Sequence, residues 1–136
     1  MPAFSQASKT KLATCHPKLQ LIFNIIIEDY DCIILEGHRN KEAQDAAFAA
    51  GNSRLKWPNG KHNSSPSRAV DVSPWPLDWN NAKRFYLFSG YVLGIASGLG
   101  TKLRWGGAWD DLQDGDIGDL NTPGQLNDLV HFELVE

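Results

Sequence analysis

Apolar residues recur at helical spacing from Ser8 to about Tyr30, and Pro17 interrupts this stretch near its middle. Proline fits the first turn of a helix but not its interior, so the pattern predicts one helix before Pro17 and a second that begins there. The second helix is expected to bury a stripe made of Leu19, Ile22, Phe23 and Ile26.

A short strand and a third helix are predicted next. Cys32 to Leu35 is β-branched at its centre and is ended by Gly37, which is typical of a buried strand. Asn40 is a preferred N-cap residue, and the helix is predicted from Lys41 to Ala50. Gly51 follows at the position where a helix C-terminus favours positive φ.

A long polar segment separates this helix from the second predicted strand. The segment from Asn52 to Arg68 contains Gly, Asn, Ser and two prolines, and such a long loop in a small domain is usually functional or disordered. Ala69 to Ser73 then alternates like a strand, with its two valines on one face and Asp71 on the other.

The rest of the chain predicts one long helix and two strands. Asp78 is expected to cap a helix from about Asn80 to Leu99, with an apolar stripe made of Phe85, Phe88, Val92, Ile95 and Leu99. Strands are expected at Thr101 to Trp105 and at Leu129 to Val135, with an acidic, glycine-containing loop at 106–127 between them.

This order of elements predicts an α+β fold, with a small, mainly antiparallel sheet packed with helices. The chain has no βαβαβ alternation, which argues against a doubly wound fold. A chain of 136 residues has the usual length of one domain, so residues 1–136 are interpreted as a single domain.

The sequence predicts neither a transmembrane helix nor a secretory signal peptide. The longest apolar run, Leu19 to Ile27, is too short to span a bilayer, and the first five residues do not begin a secretory signal peptide. Synthesis in a cytoplasm is therefore expected. Cys15 and Cys32 lack the spacing of a redox or zinc motif and are expected to be buried as small apolar residues.

The net charge of -3 hides a strong asymmetry. All 13 basic residues lie at or before Arg104, whereas everything from Trp105 onward carries eight acids and no base. A one-sided acidic segment indicates either a cation site or a solvated loop. The basic residues form no run, so binding to nucleic acid is not expected.

Three polar residues suggest a metal site. His62 lies at the edge of the long loop, Asp71 on the following strand and His131 on the last strand. Two imidazoles and one carboxylate are what a catalytic zinc site uses, with its fourth position open to water. Asp128 is the candidate for the carboxylate that takes a proton from that water. The alternatives are a structural strand histidine and an aspartate that caps a turn.

Several motifs resemble, in sequence and order, the zinc D-Ala-D-Ala carboxypeptidase and L-alanyl-D-glutamate endopeptidase family. They are Gly60-Lys61-His62, Ser67-Arg68-Ala69-Val70-Asp71 and Asp128-Leu129-Val130-His131-Phe132-Glu133-Leu134. Glu36-Gly37-His38-Arg39, followed by Gln44, is similar to the family's Gly-x-Arg and downstream Gln. The resemblance covers nearly the whole chain, looks closest to single-domain endolysins of phages, and implies the fold shared by hedgehog-type and D-Ala-D-Ala-peptidase-type zinc domains.

Carried over to this chain, the resemblance implies that His62, Asp71 and His131 hold Zn²⁺ and that Asp128 is the general base. Two departures affect the substrate groove. His62 and Asp71 are nine positions apart, farther than in the shorter family pattern, so the residues between them have to bulge outward. Gly60 also stands where the family has serine.

The resemblance further implies that Arg39 stabilises the oxyanion on the scissile carbonyl, a role suited to a fixed positive charge. The alternative for Arg39 is a salt bridge to Glu36 or Glu42. Gln44 is expected to orient Arg39 or the substrate, or else to face solvent. The role of His38 stays open, because it can reach the same cleft or be an inert strand-end residue.

Two other features of the last third bear on the groove. Trp105 and Trp109 are candidates for its wall, with burial in the core as the alternative. The segment 110–119 offers carboxylates around glycines, as a calcium loop does, but it lacks the full EF-hand pattern, and a solvated loop is the alternative.

The resemblance implies a zinc-dependent endolysin that hydrolyses the L-alanyl-D-glutamate bond of the peptidoglycan stem peptide during host lysis. The alternatives are a D-Ala-D-Ala carboxypeptidase on the same scaffold and a non-catalytic zinc domain that binds cell wall. The expected enzyme is a monomer that does not insert into membranes and passes from the host cytoplasm to the periplasmic wall through a holin-type pore.

Overall fold

The computed structural model describes residues 2–109 and 128–135. Within this part of the chain, four strands form one antiparallel sheet: β1 (Cys32–Glu36), β2 (Ala69–Pro74), β3 (Leu103–Gly106) and β4 (Asp128–Leu134). Their order is β1-β2-β4-β3. The helices are α1 (Gln6–Leu12), α2 (Pro17–Ile26), α3 (Lys41–Ala49) and α4 (Ala82–Gly98). The predicted α+β architecture is confirmed.

Pro17 separates α1 from α2 as its chemistry requires. It occupies the start of α2, where its missing N–H leaves no hydrogen bond unmade, and His16 is the N-cap. The predicted stripe is fully buried and consists of Leu19, Ile22, Phe23 and Ile26. The helix ends at Ile26 rather than Tyr30, and α1 begins at Gln6 because the Ser5 side chain accepts a hydrogen bond from the Ser8 N–H.

The third helix also follows its sequence signals. The Asn40 side chain accepts a hydrogen bond from the Ala43 N–H at 2.9 Å, and Gly51 has a φ of 78° just beyond the end of α3. The long loop after it contains a single 3-10 helical turn, Lys61–Asn63, called here the His62 turn.

The prediction that Asp78 caps α4 is wrong. The Asp78 carboxylate accepts a hydrogen bond from the Asn80 N–H at 3.0 Å, so it stabilises the turn before the helix. The N-cap is Asn81, which makes no side-chain capping bond. An aspartate side chain readily accepts a hydrogen bond from the N–H two residues later, and for Asp78 that N–H belongs to the turn before α4.

The predicted apolar stripe of α4 is also too long at its C-terminal end. Phe85, Phe88 and Val92 are buried as predicted, but Leu99 is 42% exposed. The helix ends at Gly98, and Gly100 with a φ of 76° turns the chain away. Ala96 takes the core position one turn earlier.

The sheet presents its two faces to different surroundings. Val70 and Val72 of β2 join the hydrophobic core, as does Phe132 of β4, whose ring lies 5.8 Å from that of Phe23 and 6.2 Å from that of Phe88. Since side chains alternate along a strand, Asp71 and His131 point to the opposite face. Both cysteines are free and buried, as expected.

None of the helices in the described residues is long and apolar enough to cross a membrane.

Candidate metal centre

Asp71 and His131 meet because β2 and β4 pair in a register that places them directly opposite each other. The Asp71 Oδ1 atom lies 3.1 Å from His131 Nδ1. Since β2 lies between β1 and β4, both residues are buried, with 8% and 9% of their surfaces exposed. Central strand pairing therefore fixes two of the three predicted ligands without any help from a loop.

His62 reaches the same point from the His62 turn. Its Nε2 atom lies 3.1 Å from Asp71 Oδ1 and 3.3 Å from His131 Nδ1. The Arg68 N–H donates to the Lys61 carbonyl at 3.0 Å, which closes the base of the intervening segment. Ser65 and Pro66 in that segment are exposed, so the extra residues bulge outward and the ligands still converge, as the spacing predicts.

Gly60, which stands where the resembling family has serine, is favoured by the packing around it. The Gly60 N–H donates to Asn63 Oδ1 at 2.8 Å, and a Cβ at Gly60 would lie only 2.9 Å from that oxygen. Gly60 therefore allows the amide of Asn63 to close over the start of the His62 turn.

The three converging atoms have the dimensions of a zinc site. Zinc binds nitrogen and oxygen ligands at about 2.0–2.1 Å in a tetrahedron, which sets the ligand atoms about 3.3 Å apart. The distances among His62 Nε2, Asp71 Oδ1 and His131 Nδ1 are 3.1, 3.1 and 3.3 Å. These residues therefore fit the metal that the sequence predicts.

Hydrogen bonds on the far side of each imidazole direct a lone pair at this centre. The Nδ1–H of His62 donates to the Gly37 carbonyl at 2.7 Å, and the Nε2–H of His131 donates to Glu133 Oε1 at 2.8 Å. When both imidazoles are neutral, the remaining nitrogen of each ring is an acceptor that faces Asp71. Three acceptors in mutual contact are stabilised by a cation between them.

Glu133 contacts the centre through His131, and the sequence did not single it out. It is 9% exposed, and its Oε2 atom also lies 3.1 Å from Lys61 Nζ and 3.6 Å from Arg104 NH1. Burial alone would raise the pKa of Glu133, but the hydrogen bonds from His131 and Lys61 lower it. The available signal was its position two residues after His131, which puts both side chains on one face of β4.

The electrostatics of the cluster favour positive charge. Burial disfavours the Asp71 carboxylate, but hydrogen bonds from His131 and His62 hold the pKa of Asp71 well below its usual range. Burial likewise opposes charge on His131, yet the hydrogen bonds to Asp71 and Glu133 raise its pKa to about 10. A cluster that binds a proton this strongly is also a cluster that attracts a metal ion.

Asp128 stands apart from the three converging residues but faces the same space. It is the first residue of β4, and it lines one cavity together with His62 and His131. Burial raises the pKa of Asp128, and the negative charge of Asp71 raises it further. A carboxyl group with a raised pKa is well suited to take up a proton and later return it.

Arg39 forms a salt bridge, the alternative predicted for it, and it also contacts Gln44. Its Nε and NH2 atoms donate to the two oxygens of Glu36 at 2.9 and 2.6 Å, and its NH1 atom donates to Gln44 Oε1 at 3.0 Å. The salt-bridge partner is therefore Glu36 and not Glu42. The bond to Glu36 raises the pKa of Arg39, and NH2 remains 3.9 Å from Asp71 Oδ2 at the edge of the centre.

Gln44 is fully buried, so the solvent-facing alternative is wrong. Its Oε1 atom accepts from Arg39 and from Asn63 Nδ2, the latter at 3.0 Å. Its Nε2 atom donates to Ser53 Oγ at 2.9 Å and to the Leu55 carbonyl. This one amide thus connects Arg39, the His62 turn and the loop that follows α3.

Of the remaining candidate residues that the structure describes, only Trp109 lines the cavity. Trp105 is 2% exposed, and its Nε1–H donates to the Leu129 carbonyl at 2.8 Å, so it belongs to the core. Trp109 lines the cavity, with its ring 5.5 Å from that of His131. His38 Nδ1 lies 2.9 Å from the Ser64 carbonyl, away from the centre.

The acidic segment 110–119 lies outside the described residues. Calcium binding there stays a prediction, which a calcium titration followed by tryptophan fluorescence tests.

Two cavities flank Arg39 and Asp128. One, of about 470 Å³, adjoins His62 and His131 and is walled by the loop after α3, and we call it the His62 cavity. The other, of about 480 Å³, lies beside Asp71 and the exposed Trp79, and we call it the Trp79 cavity. Together they leave open space on both sides of the centre.

Comparison with known proteins agrees with this arrangement. Residues 2–135 match the family model described as phage L-alanyl-D-glutamate peptidase. The L-alanyl-D-glutamate peptidase of Escherichia phage T5 is 32% identical over 137 residues, which cover 97% of each chain.

Two solved structures share the fold. The Serratia marcescens L-Ala D-Glu endopeptidase ChiX superposes with a TM-score of 0.74 at 23% identity, over 98% of this chain and 91% of that chain. The D,D-pentapeptidase VanY from a VanB-type resistance cassette, an E175A mutant in complex with Zn(II), gives a TM-score of 0.51 at 15% identity, over 88% of this chain and 70% of that chain.

Proposed function

The chain belongs to the phage L-alanyl-D-glutamate peptidase family, and on this premise we propose that it is a zinc-dependent peptidase that hydrolyses the L-alanyl-D-glutamate bond of the peptidoglycan stem peptide. One observation carries the proposal. Three acceptor atoms of His62, Asp71 and His131 converge within 3.1–3.3 Å, while Asp128 lines the same cavity outside that triangle.

This arrangement favours catalysis over a purely structural metal. A structural zinc site usually has four protein ligands, whereas a catalytic site has three and leaves one position open. Among the described residues, His62, Asp71 and His131 are the only group of three or more His, Cys, Asp or Glu side chains whose ligand atoms converge. Bound zinc supplies Lewis acidity, which polarises a carbonyl oxygen and makes water more acidic.

The chain's own side chains supply the proton transfer and the charge stabilisation. Asp128 accepts a proton from the attacking water and returns it to the nitrogen of the leaving amine. Arg39 offers its guanidinium to the negative charge that develops on the scissile carbonyl oxygen. Because Glu36 and Gln44 hold the guanidinium in place, little reorganisation is needed during the reaction.

The first test replaces the proposed base. Asp128→Asn keeps the size of the side chain but removes the proton acceptor, so hydrolysis of purified peptidoglycan should fall by at least about 100-fold while the bound zinc is retained. Metal analysis and a hydrolysis assay measure both quantities. Asp78→Asn is the matched control, since Asp78 is exposed and lies in the turn before α4.

Mass spectrometry of the digested peptidoglycan identifies the bond. New amino ends on D-glutamate, with L-alanine retained on muramic acid, support the endopeptidase. Release of D-alanine alone would establish the carboxypeptidase alternative. Wild-type activity in the Asp128→Asn variant would show that this carboxylate is not the base.

The biological setting is part of the same proposal. The enzyme acts as a monomer on the host cell wall during lysis, after leaving the cytoplasm through a holin-type pore. Expression in a Gram-negative host with and without a pore-forming protein tests this, because rapid lysis should require both proteins.

A further inference from the structure

The two cavities beside the centre differ in charge. The described residues that line the His62 cavity include three cations, Arg39, Arg54 and Lys61, and two acids, Asp128 and Glu133. Those that line the Trp79 cavity include one cation and three acids. An anionic group of a bound substrate is therefore attracted to the His62 cavity.

Two of the three cations already have an acidic partner. Arg39 is bound to Glu36 through two hydrogen bonds, and Lys61 is paired with Glu133 at 3.1 Å. Arg54 makes no ion pair or side-chain hydrogen bond with any residue in the described ranges 2–109 and 128–135. Arg54 is exposed and lines the cavity, and no hydrogen bond to the described part of the chain occupies its guanidinium.

The backbone that carries Arg54 is nevertheless fixed from inside the protein. Buried Gln44 donates to Ser53 Oγ and to the Leu55 carbonyl, on the two sides of Arg54. The Leu55 N–H adds a bond to Ser53 Oγ at 3.2 Å. The same Gln44 holds Arg39, so the position of Arg54 is coupled to the catalytic centre by one side chain.

The substrate of the proposed function carries a matching anion. In an L-alanyl-D-glutamyl peptide, the glutamyl nitrogen forms the scissile bond and one glutamyl carboxyl continues the chain. The other carboxyl is free and is ionised at neutral pH. Arginine is the side chain best suited to bind such a carboxylate through two parallel hydrogen bonds.

We propose that Arg54 binds the free carboxylate of the substrate's D-glutamyl residue, and that this contact makes the enzyme selective for the unamidated form. The inference rests on the proposed function and assigns the glutamyl side of the scissile bond to the His62 cavity. The alanyl side then extends toward the Trp79 cavity.

Two synthetic stem peptides that differ only at this carboxyl provide the test. One carries the free carboxylate and the other its primary amide. Loss of a charged hydrogen-bonding partner is expected to lower kcat/KM of the wild-type protein roughly 10- to 100-fold on the amide. The difference should lie mainly in KM, because this carboxylate keeps its charge throughout the reaction.

Arg54→Gln should bring the ratio of the two kcat/KM values close to one, by lowering activity on the carboxylate substrate alone. Arg54→Lys should restore part of the preference, since it keeps the charge without the planar fork. Lys18→Gln is the control, because it removes an exposed cation on α2 outside both cavities. Melting temperatures within about 2 °C of wild type would show that the fold is intact.

The outcomes separate the two proposals. If the wild-type protein cleaves neither peptide, the proposed function fails. If it cleaves both with equal efficiency, or if Arg54→Gln slows both equally, only the role of Arg54 is overturned.

Discussion

The His62 turn and strand β4 each orient one histidine toward the centre, but they do so with different hydrogen-bond partners. The His62 turn fixes its imidazole with a neutral partner, the Gly37 carbonyl, at 2.7 Å. Strand β4 fixes His131 with a carboxylate, Glu133, at 2.8 Å. Both bonds direct the other ring nitrogen to the centre, but only the carboxylate adds negative charge and increases the basicity of its imidazole.

The Gly37 carbonyl can reach His62 because Gly37 packs closely against the end of α1. A Cβ at Gly37 would lie 2.3 Å from Thr14 Oγ1 and 2.4 Å from the Lys11 carbonyl, so the end of β1 can approach α1 only with glycine there. The orientation of His62 is therefore built into the backbone. The orientation of His131 depends on one side chain, which a single substitution can change while the fold is kept.

The largest effect should come from removing either imidazole. His62→Ala and His131→Ala each delete one of three converging ligands, and both should lose zinc and lower kcat/KM on the order of 1000-fold or more. Metal content and peptidoglycan hydrolysis measure this. His16→Ala is the control, because His16 caps α2 and lines neither of the two cavities. Normal zinc content in either ligand variant would contradict the shared role.

The sequence predicted the three converging residues better than the groups that orient them. His62, Asp71 and His131 could be found because the segments around them resemble the motifs of a known family, and the alternation in β2 indicated the face of Asp71. Gly37 supports His62 from 25 residues away, through a backbone carbonyl that has no side-chain signal. The errors at Asp78 and Leu99 likewise arose at the ends of α4, where tertiary packing and the following turn decide the boundary.

A smaller effect is expected at Glu133, where the two segments differ most. Glu133→Gln keeps an oxygen that can accept the His131 Nε2–H but removes the negative charge. Zinc affinity should fall roughly 10- to 100-fold, as is usual for partners behind a metal ligand. Competition with a chelator measures the affinity directly, without reference to activity.

An exposed acid provides the comparison for that variant. Glu28→Gln removes one negative charge just after α2 and should leave zinc affinity unchanged. An equal loss of affinity in both variants would mean that net charge matters and the bond to His131 does not.

The smallest effect should be at Lys61, which connects the two segments. Lys61 adjoins His62, and its ammonium group contacts both Glu133 Oε2 and the Leu134 carbonyl. Its side chain is 33% exposed, so solvent weakens the ion pair. Lys61→Met keeps the aliphatic stem and should lower zinc affinity only about 2- to 5-fold, less at high salt.

The double variant shows whether Lys61 acts through Glu133. If the ammonium group matters only because it holds that carboxylate, Lys61→Met should have no further effect once Glu133 is glutamine. Chelator competition on the wild type, both single variants and the double variant measures the coupling. Additive losses would instead show that Lys61 stabilises the His62 turn through the Leu134 carbonyl, and that the two segments are supported independently.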